Sequence, residues 1–117
     1  MSLQSSLYTL LASTFTNRIY PSVAPFGVVT PYATYTRVTS LEQNTLDANG
    51  GTGNPVNTLL QIDIWSTTYL EASTKAAAVK TLLKGWALEN VVTSEQDDYE
   101  PDTTLYRVIL EVSVWHL

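Results

Sequence analysis

The stretch from residue 57 to residue 84 constrains the fold most, because a half-buried strand pattern runs directly into a strong helix start. In residues 57–66, the apolar side chains of Leu60, Ile62 and Ile64 alternate with polar ones. Successive side chains of a strand point to opposite faces, so this alternation predicts a β-strand with one buried face. The strand and the helix after it must bury their apolar sides against each other, which favours a sheet with helices packed on it.

The helix start is marked by Thr68, which stands three residues before Glu71. At this spacing the hydroxyl and the carboxylate can each accept from the other residue's backbone N–H, an arrangement called a capping box. A helix is therefore expected from Tyr69 to Lys84, ending where Gly85 takes a left-handed conformation. Its buried stripe is expected to consist of Ala72, Ala76, Val79 and Leu83.

The rest of the chain adds one more helix and three strand patterns. Leucines at helical spacing predict a first helix over about Leu3–Thr14, and three prolines predict irregular structure in residues 17–31. β-branched and aromatic residues predict a strand over Tyr32–Thr39. After the second helix, similar patterns predict a short strand over Ala87–Thr93 and a final strand over Leu105–Trp115.

These elements fit a single domain. A chain of 117 residues, 44% of them hydrophobic, buries one modest core and is too short for two. We therefore expect one α+β domain over residues 1–117, in which two helices pack on one face of a mainly antiparallel sheet of about four strands. No apolar run approaches the length of a membrane span and no signal-peptide pattern begins the chain, so an intracellular protein without membrane contact is expected.

Residues 40–56 form the least regular stretch of the sequence. They include Asn49, Gly50 and further asparagine and glycine residues, with few large apolar side chains. Ordering such a stretch loses conformational entropy and buries little surface in return. We expect a long mobile loop, which either stays free as a hairpin connection or becomes ordered against a neighbouring subunit.

Five of the eleven acidic residues lie close together, and without them the acidic and basic residues balance. They are Glu95, Asp97, Asp98, Glu100 and Asp102. With a proline among them, they predict an exposed turn before the final strand. Clustered carboxylates attract hard cations, but the segment lacks the ligand spacing of a calcium-binding loop. A solvated acidic turn is therefore expected rather than a metal site.

The sequence offers no recognisable catalytic or cofactor-binding constellation. The one histidine, His116, is next to last, so no nucleophile–histidine–acid triad forms around an internal imidazole. The glycines of residues 50–53 lack the following lysine of a phosphate-binding loop. Specific nucleic-acid binding is not expected either, because adhesion to DNA phosphates needs a cationic surface. We therefore expect no catalytic residue, no cofactor and no metal ion, and a function based on assembly.

The strand patterns also predict an exposed apolar surface. If the buried side of the first long apolar strand meets the helices, Leu59 and Trp65 point away from them. The same alternation puts Ile109 and Trp115 on the outer side of the final strand. Exposed apolar patches often mark partner sites, so this side is predicted to be an assembly surface unless the proline-rich residues 21–31 cover it.

Three parts of the sequence resemble a known family in their order and spacing. They are Pro-Tyr-Ala-Thr-Tyr at 31–35, Gln-Ile-Asp-Ile-Trp at 61–65 before an alanine-rich helix, and Gln-Asp-Asp-Tyr-Glu-Pro-Asp-Thr-Thr-Leu-Tyr-Arg at 96–107 with Trp-His at 115–116. In this order they resemble the tail completion proteins of long-tailed bacteriophages, which are similar to tail terminators. The resemblance covers most of the chain.

The resemblance implies a small α+β subunit of a hexameric ring at the head-proximal end of the tail tube. Such a ring ends tube polymerisation and joins the tail to the head connector. The implied partners are further copies of the chain, the tail tube protein and the connector, with DNA passing through the ring. The implied location is the virion, after assembly in the host cytoplasm.

Within such a ring, the loop and the acidic segment are the further candidate contact sites. Asn49 and Gly50 of the loop are expected at an interface. Asp97, Asp98 and Glu100 are expected at a rim or in the lumen, unless they form only a solvated turn. The alternative from another class of function is a small monomeric binding or regulatory module without catalysis, and an enzyme ranks third.

Overall fold

The structure, a computed structural model, describes residues 3–42 and 56–116. Its elements are α1 (Leu3–Leu11), β1 (Ile19–Pro21), β2 (Tyr32–Glu42), β3 (Val56–Ser66), α2 (Tyr69–Lys84), β4 (Asn90–Glu100) and β5 (Leu105–His116). The expected α+β class is confirmed. Within the two described ranges, neither helix combines the length and the apolar content needed to cross a membrane.

The sheet has five strands in the order β1-β2-β3-β5-β4, one more than the sequence predicted. β1 runs parallel to β2, and all other neighbouring strands are antiparallel. The unpredicted strand, β1, lies in the segment for which prolines predicted irregular structure. Its last residue is Pro21, and a proline is tolerated there because β1 is an edge strand with a neighbour on one side only.

Helix α2 has the predicted bounds, but its two ends differ in detail from the sequence prediction. The Glu71 N–H donates to Thr68 Oγ1 at 3.2 Å, whereas the Glu71 carboxylate accepts from the Ser66 hydroxyl. Only half of the expected capping box is therefore formed. The prediction of a left-handed Gly85 is wrong, because its φ is −92° and its N–H donates to the Leu82 carbonyl at 3.1 Å, closing a tight last turn.

The first helix ends three residues earlier than predicted. After Leu11 the chain turns through Thr16 and Asn17, both with positive φ, before it enters β1. The Lys75 ammonium of α2 donates to the Thr14 carbonyl at 3.0 Å, which satisfies one carbonyl beyond the helix end. Phe15 remains fully buried, so the apolar stripe continues into this turn.

Both helices pack on one face of the sheet, as predicted, around one apolar core. Leu7 and Leu11 of α1 are fully buried in it, and so are the four predicted residues of α2. The core-facing strand residues are Ile19, Ala33, Leu60, Ile62, Ile64, Val108, Leu110, Val112 and Val114. β3 and β5 supply most of this set, because they are the central strands and lie directly under α2.

The predicted mobile loop falls mostly outside the described residues. Residues 40–42 belong to the end of β2, and Val56 begins β3. Residues 43–55, which include Asn49 and Gly50, are not described. The mobility of the loop stays a prediction.

Candidate functional site

The side of the sheet opposite the helices, called the outer face below, carries the predicted assembly residues. The register pairs Leu59 with Ser113 and Trp65 with Arg107 across β3 and β5. Because Leu60, Ile64, Val108 and Val112 are buried under the helices, their neighbours along each strand face outward. Leu59, Trp65, Ile109 and Trp115 therefore lie on the outer face, as the alternation predicted.

These four side chains form two separate pairs. Trp65 and Ile109 are diagonal neighbours at one end of the outer face, and Leu59 and Trp115 are diagonal neighbours at the other. The cross-strand pair Gln61–Glu111 lies between them. The structure thus brings the predicted apolar residues to one face but separates them by polar side chains.

Arg107 is the centre of the polar part of the outer face. Its Nη2 lies 2.9 Å from Asp63 Oδ2, and its Nη1 lies 3.0 Å from Glu100 Oε1 and 3.8 Å from Asp98 Oδ2. Asp63 is only 7% exposed, so the guanidinium compensates a carboxylate that is almost removed from water. The Gln61 side-chain amide adds a donor to Asp63 at 3.1 Å.

Trp65 is held in one orientation by three neighbours on this face. The Arg107 guanidinium carbon lies 5.0 Å from the centre of the indole ring, and the Tyr32 ring stacks on the indole at 6.0 Å between centroids. The indole N–H donates to Thr34 Oγ1 at 3.2 Å. Burial raises the pKa of the Tyr32 phenol. Trp65 is thus a fixed, half-buried platform rather than a freely exposed apolar side chain.

Sequence reasoning missed the roles of Arg107 and Asp63. Their contact depends on the register of β3 against β5, which puts Arg107 opposite Trp65 and diagonal to Asp63. The one available signal was Asp63 itself, an acidic residue between two isoleucines in a predicted strand. It predicts a basic partner on a neighbouring strand, since a buried carboxylate needs one.

The acidic segment is not a turn, which corrects the sequence prediction. Residues 95–100 form the second half of β4, and the turn is confined to residues 101–104. Acidic residues are uncommon in strands, but β4 is an edge strand whose side chains in this part are mostly exposed to water. The predicted strand over Ala87–Thr93 was accordingly both too early and too short.

Alternation along β4 divides the acidic residues between the two faces of the sheet. Glu95 and Asp97 lie on the helix side, where the Lys80 ammonium contacts Glu95 at 2.9 Å and the Tyr69 hydroxyl donates to Asp97 at 2.8 Å. Asp98 and Glu100 lie on the outer face beside the Arg107 guanidinium. The carboxylates that the sequence grouped together are therefore divided between the two faces, and Asp98 and Glu100 share the Arg107 guanidinium with Asp63.

Three apolar side chains of the proline-rich segment are exposed to solvent and therefore do not cover the outer face. Val23, Phe26 and Val29 are all exposed, and Phe26 is fully so. Among the residues that the structure describes, no group of three or more His, Asp or Glu side chains is arranged to hold a metal ion. The outer face of this part of the chain is suited to protein contacts through aromatic, aliphatic and ion-pair groups.

An open groove of about 820 Å³ lies at the β4 edge of the sheet, between the C-terminal end of α2 and the start of β4. Trp86, Val91 and Trp115 contribute apolar lining, and Lys84 and Glu89 contribute charge. Of the predicted assembly residues that lie in the described ranges, only Trp115 lines this groove. Sequence reasoning missed the groove itself, because it depends on how the segment after α2 returns to the sheet.

Comparison with known proteins agrees with this architecture. The sequence model of the family described as "Tail completion protein gp17" matches residues 4–117. No curated protein sequence matches the chain. Among solved structures, a chain from the "Virion of native gene transfer agent (GTA) particle" has the same fold, with a TM-score of 0.68 and 18% sequence identity over 97% of this chain and 93% of that one.

Proposed function

We propose, since this chain belongs to the family of the tail completion protein gp17, that it is a non-catalytic subunit of a ring at the head-proximal end of a phage tail tube. The ring ends tube polymerisation and presents a surface to the head connector. The observation that carries this proposal is the outer face. It has half-buried Leu59, Trp65 and Ile109 side chains, and the helices of the described ranges pack on the other side of the sheet.

The outer face is the proposed assembly surface. An aromatic platform beside a compensated arginine is a composition typical of protein interfaces, which are enriched in tryptophan, tyrosine and arginine. Trp65, Tyr32 and Arg107 supply these three groups in fixed positions. Because their orientations are already set by contacts within the subunit, little side-chain entropy is lost when a partner covers them.

The proposed partners are five further copies of the chain, the tail tube protein and the head connector. Asp98 and Glu100 place negative charge at the rim of the outer face, and the net charge of the chain is −5. Negative charge repeated around a ring repels DNA phosphates, so DNA passes through without binding. Asn49 and Gly50, in the loop predicted from the sequence, are proposed to contact a neighbouring copy or the tube. The protein assembles in the host cytoplasm and remains in the virion.

A tube-capping experiment tests this function. Purified tail tubes are incubated with the protein, tube subunits are then added, and tube lengths and ends are measured by electron microscopy. We expect a ring at one end of each tube and no further growth from that end. Tubes that continue to grow from both ends, with no protein bound, would contradict the function.

An outer-face variant tests whether that surface makes the contact. Ile109→Lys places an ammonium opposite the Asp63 carboxylate, so the variant is expected to fold while losing the apolar contact. Leu70→Lys is the matched control, because Leu70 is exposed on α2 at the covered side of the sheet. We expect tube capping to fail for Ile109→Lys and to persist for Leu70→Lys. Equal capping by both would exclude the outer face.

A further inference from the structure

The connection between β1 and β2, residues 22–31, is an apolar projection with fixed ends. Phe26 is fully exposed, and Val23 and Val29 are largely exposed on either side of it. The Ser22 N–H donates to the Tyr35 carbonyl at 2.8 Å, and the Arg18 Nε donates to the Pro31 carbonyl at 3.0 Å. These two hydrogen bonds attach both ends of the projection to the sheet.

The projection is also stiff and uncharged. Pro25 and Pro31 restrict its backbone, and Gly27, with φ of +81°, makes the turn that follows Phe26. No Asp, Glu, Lys or Arg occurs in residues 22–31. A stiff segment loses little entropy on binding, and an uncharged one can enter an apolar site without leaving an unpaired charge.

The groove at the β4 edge has the properties of a receptor for such a projection. Its volume of about 820 Å³ lies within the range of roughly 300–1,000 Å³ that is usual for ligand pockets, so it has room for a phenyl ring and flanking aliphatic groups. Trp86 and Trp115 offer aromatic surface, and Val91 is 60% exposed. The charged Lys84 and Glu89 in its lining keep their contact with water at the edge of the site.

Projection and groove cannot meet within one subunit. The projection adjoins β1 and the groove adjoins β4, at the two edges of the five-stranded sheet. Four strand spacings of about 4.8 Å separate these edges by roughly 19 Å. The projection lies where β2 begins and the groove where β4 begins, which are opposite ends of the sheet according to the register. The two surfaces are therefore free to engage different neighbours.

We propose that the 22–31 projection of each copy docks into the α2–β4 groove of the next copy, with the Phe26 ring against Trp86, Val91 and Trp115. This inference rests on the proposed function and specifies the contact between ring subunits. The contact joins two different surfaces, so its repetition produces a closed ring when the rotation closes.

A mixed cross-linking experiment tests the contact directly. The chain contains no cysteine, so each variant carries a single introduced thiol. Val29→Cys and Glu89→Cys proteins, which keep the Phe26 ring and Val91, are prepared separately. Rings are assembled on tail tubes from an equal mixture and treated with a short bifunctional maleimide. We expect cross-linked dimers in the mixture and about ten-fold fewer with either variant alone. Equal yields in all three samples, or no dimer in the mixture, would overturn the proposed contact.

Substitutions test the same contact without cross-linking. Phe26→Ser and Val91→Asp alter exposed side chains, so the fold is expected to remain intact. Leu70→Asp is the matched control, because Leu70 is 76% exposed at the start of α2, whereas the groove adjoins the other end of that helix and the projection adjoins β1. We expect each test variant to require at least ten-fold more protein for tube capping, and the control to behave like the parent. Capping by Phe26→Ser at the parent concentration would overturn the proposal.

The parent protein separates this failure from failure of the proposed function. If the parent caps tubes while Phe26→Ser also caps them and no mixed dimer forms, the ring exists but uses another contact. If the parent itself does not bind tube ends, the proposed function fails, and the subunit contact fails with it.

Discussion

Different interactions stabilise the two faces of the sheet. On the helix side, Leu60, Leu110 and Val112 are fully buried, and a core position of this kind tolerates other apolar side chains of similar volume at a modest cost in stability. On the outer face, Arg107 and Asp63 are held at 2.9 Å by a directional ion pair beside the Trp65 ring. The buried side of the strands thus tolerates exchange among apolar residues, whereas the outer side depends on which particular residues lie next to one another.

This difference shows how one sheet can supply both stability and recognition. Burial of apolar area stabilises the helix side and is nearly independent of direction. The outer face buries less apolar area and instead holds polar and aromatic groups in fixed positions, where a partner can recognise them.

Neighbouring residues of β5 give the most direct test. Leu110 is fully buried under the helices, whereas Ile109 is half-buried on the outer face. Leu110→Ala should lower the free energy of unfolding by about 3 kcal/mol, because it leaves a cavity in the core, and Ile109→Ala by about 1 kcal/mol. Denaturant unfolding monitored by tryptophan fluorescence measures both. Equal losses would mean that the outer face is packed like the core.

The central ion pair should give the next largest effect. Arg107→Met leaves Asp63 almost buried without its guanidinium, which should lower the free energy of unfolding by about 2 kcal/mol. Arg37→Met, at an exposed position of β2, is the control and should change it by less than about 0.5 kcal/mol. Adding Asp63→Asn to Arg107→Met should recover part of the loss. A loss unchanged by the second substitution would assign the effect to lost packing on Trp65.

The ion pair on the helix side should contribute much less. Lys80 and Glu95 are both more than a third exposed, so water screens their attraction. Glu95→Gln is expected to change the free energy of unfolding by less than about 0.5 kcal/mol, and added salt should remove the difference. A loss as large as that of Arg107→Met would show that exposure does not distinguish the two pairs.

The smallest effect concerns the titration of Tyr69. Its hydrogen bond to Asp97, together with the charge of that carboxylate, raises the pKa of the Tyr69 phenol. Because the folded-state pKa is raised, this contact stabilises the fold below a pH of about 10 and the stabilisation is lost as the pH rises through the folded-state value. Asp97→Asn should lower the Tyr69 pKa, as measured by tyrosinate absorbance with Tyr69→Phe as the reference. An unchanged titration would mean that the contact is absent in solution.

Local sequence patterns determined most of the secondary structure. The alternation of Leu60, Ile62 and Ile64 identified β3 and its buried face, and Thr68 identified the start of α2. These predictions succeeded because strand alternation and helix capping involve residues close together in the chain. The assignment of Leu59, Trp65, Ile109 and Trp115 to one face followed from the same periodicity.

Only the tertiary structure decided which residues work together. Arg107 meets Asp63 and Glu100 because β5 lies between β3 and β4, an order that no local pattern encodes. The acidic residues up to Glu100 are in a strand because edge position and cross-strand partners outweigh their low strand propensity. The groove beside Trp115 arises in the same way, from the return of the chain after α2. Periodicity specifies which way a side chain points, whereas the pairing of distant strands specifies what it meets.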